Sequence, residues 1–315
     1  MMNEHDLDAR CTWIRDELER LNKRGALVQL SGGIDSSVVL HLCARALGAE
    51  HVRALYLPDT STGPETRSFV DAAVQNAGVE LVERQIGPAI EAQFSAAQVT
   101  ELIRKYAPDY DPAQHAYAVN ANPGLARRLG ALVYQVKIGP RHGDPETTLK
   151  MSVDDLRALI AYQNRKQRTR MLFAYAEAEA HNLAVVGASN GDELKTGFVV
   201  KYGDDAADLC AIGDLTKPQV YELARLLGVP ESIIARPPTT DTYALKQTQQ
   251  DYYYALPAPV LAELATLSPE ELADDARLEP LLADLTGWTV EALRQVTTGL
   301  QASLRYQRTR SVTMR

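Results

Sequence analysis

The sequence is poor in cysteine. Cys11, Cys43 and Cys210 lie far apart in 315 residues and have no metal-ligand spacing, which argues against a disulfide scaffold and a structural zinc. Cys43 falls on the apolar face of a helical pattern and reads as core. The six histidines show no paired spacing either. Long hydrophobic runs are also missing: no stretch approaches the roughly 18 apolar residues of a membrane span. The opening Met1-Met2-Asn3-Glu4-His5-Asp6 is acidic and lacks the apolar core of a secretory signal. Positive charge is in deficit, with 33 Lys and Arg against 41 Asp and Glu and a net charge of −8. That balance disfavours bulk attraction to nucleic acid or an anionic membrane. The expectation is a reduced, cytoplasmic protein. At 45% apolar residues, the chain suffices for one large α/β domain or one domain with an appendage.

Leu30-Ser31-Gly32-Gly33-Ile34-Asp35-Ser36-Ser37 is the most informative stretch. A buried-strand pattern, Ala26-Leu27-Val28-Gln29-Leu30, runs into it, and a helical pattern with Val38, Val39, Leu42, Cys43 and Ala46 on one face leaves it. Two glycines let the backbone turn tightly and approach a ligand. The free N–H groups and positive dipole end of the new helix face the same point, which makes the corner an anion cradle. The hydroxyls of Ser31, Ser36 and Ser37 suit phosphate oxygens. Asp35 is out of place beside a phosphate unless a cation sits between them, and magnesium is the obvious candidate. A bare Gly-Gly-x-Asp also reads as an ordinary helix N-cap. The string lacks the Gly-Lys-Ser/Thr ending of a Walker loop and the third glycine of a dinucleotide fingerprint.

Periodicity predicts a helix over 6–23, a second strand over His51–Leu57, a helix over 65–77 and a third strand over Val79–Ile86. Strand and helix alternate, which predicts a doubly wound parallel sheet. Ligands then bind beyond the carboxyl ends of its strands, where Ser31-Gly32-Gly33 and Asp59-Thr60-Ser61 fall. Residues 88–150 break the rhythm with Pro108, Pro112, Pro123 and Pro140. They read as an insertion of mixed helix and loop, a lid or a dimer surface, since a structureless loop of that length is uncommon in a compact domain. A long helix over Val153–His181, a strand over Leu183–Val186 and a helix over Thr216–Leu227 follow. Thr216 caps that last helix and Pro218 suits its first turn. The tail from Pro257 is helical by pattern, which divides the chain into residues 1–256 and a helical extension over 257–315.

Two further clusters carry chemistry. In Asn164-Arg165-Lys166-Gln167-Arg168-Thr169-Arg170-Met171, a helix places Arg165 and Arg168 on one face and Lys166 and Arg170 on another. Such a run reads equally as a solvated basic face, and an RNA-binding strip is disfavoured by the overall charge. The second cluster runs from Gly187-Ala188-Ser189-Asn190-Gly191-Asp192-Glu193 through Lys201-Tyr202-Gly203-Asp204-Asp205-Ala206-Ala207-Asp208 to Ile212-Gly213-Asp214-Leu215-Thr216-Lys217-Pro218-Gln219. Glu193 is a hard oxygen ligand that could share magnesium with Asp35. Lys217 stands in the first turn of a helix, against the dipole, which a phosphate partner explains more readily than simple tolerance.

The Ser31–Ser37 string resembles the pyrophosphate loop of the N-type ATP pyrophosphatases, which split ATP between the α and β phosphates and pass AMP to an acceptor. With Asn164–Met171, Lys201-Tyr202-Gly203-Asp204, Ile212–Gln219 and Arg236-Pro237-Pro238-Thr239-Thr240-Asp241, it is similar to the NAD synthetases in their ammonia-using form. The resemblance covers about Ala26 to Asp241 apart from the insertion. It implies a Rossmann-like sheet and an ATP site at Ser31, Gly32, Gly33, Ile34, Asp35, Ser36, Ser37, Lys217 and Thr239. It further implies magnesium at Asp35 and Glu193, and contacts from Arg168 or Arg170, Lys201 and Asp208 to the acid substrate, deamido-NAD in the standard enzymes. A homodimer with each acid site built across the interface is implied as well. Ala188 stands where the family usually has Thr, Gln249-Gln250 where it has an acidic pair, and Tyr306-Gln307-Arg308 near its His-Lys-Arg. The expected reaction is adenylation of a carboxylate followed by displacement of AMP by ammonia, free or delivered by a separate glutaminase. A different carboxylic acid is the first alternative, and a tRNA-modifying pyrophosphatase the second.

Overall fold

Ala26, Leu27 and Val28 are completely buried, as a strand covered on both faces requires. They belong to β1 (Gly25–Leu30), the centre of a five-stranded sheet in a computed structural model that describes residues 2–93, 95–236, 243–246, 256–283 and 285–309. β1 is flanked by β2 (Val52–Tyr56) and β7 (Leu183–Gly187), with β3 (Glu80–Glu83) and β8 (Leu209–Cys210) at the edges. Every pairing is parallel. One face carries α1 (Glu4–Arg20), α2 (Ile34–Leu47), α3 (Thr66–Ala77) and α9 (Lys217–Leu226). Leu27, Leu55 and Val185 on the other face pack with α7 (Val153–His181) and the insertion. The doubly wound parallel sheet is therefore as expected.

Helix α7 is the element that builds upward from this sheet. Its 29 residues span about 43 Å at 1.5 Å per residue, against about 17 Å for a five-residue strand. Ser152 caps its start, Asp154 and Asp155 fill the first turn, and Asn182 ends it in the left-handed conformation with φ 53°, the usual chemistry of helix ends. Met171, Ala174 and Ala178 lie against the sheet, and Gln29 of β1 donates to Met171 Sδ at 2.9 Å. Because α7 runs straight into β7, the excess length overhangs the carboxyl edge of the sheet. There Leu159 and Tyr162 meet the insertion.

The insertion corrects one expectation. It does hold helices, α4 (Gly87–Gln93), α5 (Ala96–Arg104) and α6 (Pro123–Leu129). It also holds an antiparallel sheet, β4 (His115–Ala121), β5 (Tyr134–Pro140) and β6 (Thr147–Leu149), in that order. β4 is buried along nearly its whole length, so its sequence carries no alternation to announce a strand. Pro108 and Pro112 do lie in turns, whereas Pro123 sits at the first turn of α6 and Pro140 at the last residue of β5, places where no backbone donor is lost from a ladder interior. Ile103, Tyr117 and Val119 share a core with Leu27 and Leu55 of the main sheet. The tail is helical, ending in the helix Val290–Arg308, and its leucines form their own cluster.

Candidate active site

The phosphate-type loop has the geometry its glycines require. Gly32 has φ 71°, and a Cβ there would lie 3.1 Å from the Thr66 carbonyl oxygen, so the position suits glycine on both counts. Gly33 is the N-cap of α2 and supplies no side-chain cap, which leaves the first amides of a 14-residue helix open to an anion. Ser31 Oγ accepts the Gly33 N–H at 3.3 Å and lies 3.2 Å from Ser36 Oγ. Ser36 and Ser37 both donate to the Gly33 carbonyl, at 3.1 and 2.9 Å. Ser31, Gly33, Ile34, Asp35 and Ser36 line a cavity of about 460 Å³ at the carboxyl edge of the sheet. Ser37 is fully buried and shapes the loop from beneath.

Asp35 meets two groups carried by later segments of the chain. The Lys217 amine is paired with its Oδ2, and Asn190 Nδ2 donates to its Oδ1 at 3.2 Å. Asn190 is the N-cap of α8 (Gly191–Thr196), in a capping box with Glu193: its backbone N–H donates to Glu193 Oε2 at 3.2 Å, and its Oδ1 accepts the Asp192 and Glu193 amides. One residue thus holds both expected metal-binding carboxylates. Burial, then Asp35, push the Glu193 carboxyl up to about 8. Burial works against the Lys217 ammonium, yet Asp35 and Glu193 hold it above its usual value. The anion anticipated for Lys217 is, in this state, a carboxylate.

Two carboxylates sharing one ammonium carry excess negative charge in a buried place. That donor set fits magnesium, which is commonly held by one or two carboxylates with phosphate oxygens and water completing its shell. Among the described residues no group of three or more His, Cys, Asp or Glu is gathered as a metal cage.

The basic run on α7 divides. Lys166 and Arg170 turn inward to Asp59 at the end of β2, at 3.5 and 3.3 Å, and Lys166 Nζ donates to Ser61 Oγ at 2.6 Å. Burial opposes ionisation of Asp59, but the two cations and the Ser61 amide hold it below the usual range. Arg170 lines the cavity. Arg168 and Lys201 do not: Arg168 Nε donates to the Lys201 carbonyl, and Lys201 Nζ lies 4.3 Å from the Tyr306 ring centre, on an exposed face. Asp208 accepts from Tyr175 OH at 3.0 Å and from the Val185 amide at 2.8 Å, tying α7 to β7. Thr239 lies outside the described residues.

Four further residues belong to the site. Asn190 was visible as the start of an Asn-x-x-Glu box, although its bridging role was not. Asp204 lines the cavity and is raised to about 6 mainly by burial; its sequence neighbours gave no hint of that burial. Arg236 donates to the Gly32 carbonyl at 3.1 Å. Gln163, 4% exposed, donates to Tyr117 OH at 2.7 Å, and its Oε1 has no partner. The outer end of the cavity is apolar, formed by Val119 and Leu132 of the insertion, Ile160 of α7 and Leu300 of the terminal helix.

The sequence model of the family described as NAD synthase matches residues 6–109 and 112–258. An NH(3)-dependent NAD(+) synthetase from Rhizobium meliloti (strain 1021) is 42% identical over 249 residues, 78% of this chain and 72% of the relative. Its counterpart from Thermotoga maritima is 36% identical over 234 residues, 73% of this chain and 75% of the relative. Among solved structures, an NMN synthetase from Francisella tularensis has a TM-score of 0.61 at 20% identity, covering 100% of this chain and 99% of that one. An NH3-dependent NAD synthetase from Campylobacter jejuni has a TM-score of 0.58 at 19% identity, with 100% of both chains covered. At those identities the two structures speak for the fold alone. The family match and the closely similar sequences place this chain in the NAD synthase family.

Proposed function

We propose that the protein converts deamido-NAD to NAD, using ATP to activate the carboxylate and ammonia to form the amide. The observation that carries this reading is the open α2 N-terminus at a cavity that Asp35, Glu193 and Lys217 also line, with Asn190 joining the two carboxylates. A carboxylate oxygen of the substrate attacks the α-phosphorus, and the bond to the bridging oxygen breaks. Pyrophosphate leaves with the bonding electrons, and an acyl-adenylate remains. Ammonia then adds to the acyl carbon, loses a proton, and AMP departs. Asp35 and Glu193 would hold magnesium, which supplies neutralising charge at the triphosphate. The amides of the loop, with Ser31 and Ser36, bind the phosphates. Lys217 stabilises the developing negative charge. Asp204 is the cavity carboxylate placed to take a proton from ammonium. No side chain serves as nucleophile, so the protein acts by positioning and electrostatics.

The test is ATP–pyrophosphate exchange with purified protein, screened over deamido-NAD and a panel of carboxylates, followed by NAD formation with ammonium. Exchange that requires deamido-NAD, with NAD as product, is the expected result. Exchange with another acid alone would overturn the substrate.

We further propose a homodimer that completes the acid site. Arg168 and Lys201 stand outside the cavity, on a face that also exposes Leu172 (65%), Tyr202 (50%) and Tyr306 (68%). A second copy covering that face would bury the apolar groups and set the two cations beside its own ligand. Sedimentation should give a dimer, and Leu172→Glu should shift it toward monomer; a wild-type monomer at micromolar concentration contradicts the proposal.

A further inference from the structure

The triphosphate of ATP brings about four negative charges into a cavity whose own acids are Asp35, Glu193 and Asp204. The loop that cradles it contains no lysine, unlike a Walker loop. Among the described residues three cations line the cavity: Arg170, Lys217 and Arg236. Arg170 is hydrogen-bonded to Asp59, and Lys217 is paired with Asp35. Arg236 is held differently. Its Nη1 donates to the Gly32 carbonyl of the phosphate loop at 3.1 Å, and its Cζ lies 4.6 Å from the centre of the Phe69 ring on α3. Its Nη2 stands 3.7 Å from the Glu65 carboxylate, an exposed side chain. The Arg236 side chain itself is 11% exposed. A guanidinium set against a ring face and on the loop backbone stands at the phosphate loop, and its planar fork suits phosphate oxygens.

We propose that Arg236 is a catalytic cation of the adenylation step, binding the β- and γ-phosphates and stabilising pyrophosphate as it leaves. The proposal rests on the ATP-dependent reading above and adds a residue to it. When the bond between the α-phosphorus and the bridging oxygen breaks, both electrons go to that oxygen, and the new charge lies on the β-phosphate. Lys217 and the helix amides approach the triphosphate from the α2 and α9 side. Arg236, set against Phe69 of α3, adds a second cation to the same cavity, and the two together hold the leaving group. Arg236 donates hydrogen bonds throughout and gives up no proton, since guanidinium stays charged at any working pH.

Arg236→Met and Arg236→Lys, compared with wild type, test this by deamido-NAD-dependent exchange and by direct binding of inorganic pyrophosphate and of adenosine. Arg236→Met should lower the exchange rate about 100-fold, the usual scale for one lost charge-stabilising donor. It should weaken pyrophosphate binding at least about tenfold and leave adenosine binding unchanged. Arg236→Lys should recover much of both losses. Equal weakening of pyrophosphate and adenosine would assign Arg236 to holding the loop in shape and overturn the proposal. Unchanged pyrophosphate affinity would overturn it as well. Wild-type protein without exchange on any acid would remove the underlying reading, a result distinct from either.

Discussion

Asp59, just past the end of β2, faces two cations, whereas Asp35, just past the end of β1, shares one cation with a second carboxylate. The two sites stand at adjacent strand ends and look alike in a residue count, yet their charge is balanced in opposite senses. At Asp59 the carboxylate is almost fully buried, its cations come from one helix, and Ser61 fills the remaining bond. That cluster is closed and fixes the loop after β2 against α7. At Asp35 the surplus is negative and the site faces the cavity. Such an arrangement is stable only with a proton, as on Glu193 with its raised pKa, or with an added cation. The comparison teaches that a buried ion cluster is read by the sign of its surplus and by its place: the cluster with an extra cation ties the loop after β2 to α7, and the cluster with an extra carboxylate marks where an added cation belongs.

Removing each carboxylate breaks the comparison most directly. Asp35→Asn should cut pyrophosphate exchange by about 10³-fold while the melting temperature stays within a few degrees; an active variant would show that the open cluster has no part in catalysis. Asp59→Asn should do the reverse. It leaves Lys166 buried without its carboxylate, at a cost of about 3–5 kcal/mol, measurable by urea unfolding. Adding Lys166→Met should restore part of that loss, and no restoration would mean the pair is not coupled.

A third outcome concerns pH. Burial raises Asp204 from 3.8 to about 6, so the folded chain keeps a proton that the unfolded chain releases. Its contribution to stability is therefore complete below about pH 4 and lost as pH rises through about 6, by up to about 3 kcal/mol. Unfolding measured from pH 4 to 7 should show a decline to which Glu193, pushed up to about 8, also contributes; Asp204→Asn should make it shallower, and an unchanged profile would remove Asp204 as one of its causes. The smallest effect is expected at the solvent-exposed Arg10–Asp214 bridge, at 2.6 Å with Asp214 67% exposed. Asp214→Asn should cost below about 1 kcal/mol, which sets the scale against which the buried sites are judged.

Local patterns carried much of this arrangement. The apolar run Ala26–Leu30 before two glycines and the stripe of α2 specified both the central strand and its loop, because short-range sterics decide there. Thr216 and Pro218 marked the start of α9. β4 stayed hidden because a strand buried on both sides, rich in alanine, has no period to detect. Helix geometry put Lys166 and Arg168 on different faces but could not say which face turns inward: the fold turned Lys166 onto Asp59 and left Arg168 at the surface. Arg236 opens a segment that carried the family resemblance, but its role was not legible, since it comes from Gly32 and Phe69, far off in the chain.

Helix α7 bonds Met171 to β1 at one end and Gln163 to β4 at the other, with no break between. One residue inserted between those two points would rotate one set of bonds by about 100° relative to the other. Every side chain on the outer surface could be exchanged, but an indel among the seven positions between Gln163 and Met171 would misalign the far wall of the cavity with its floor. Spacing along this rod is thus as firm a requirement as any functional group it carries.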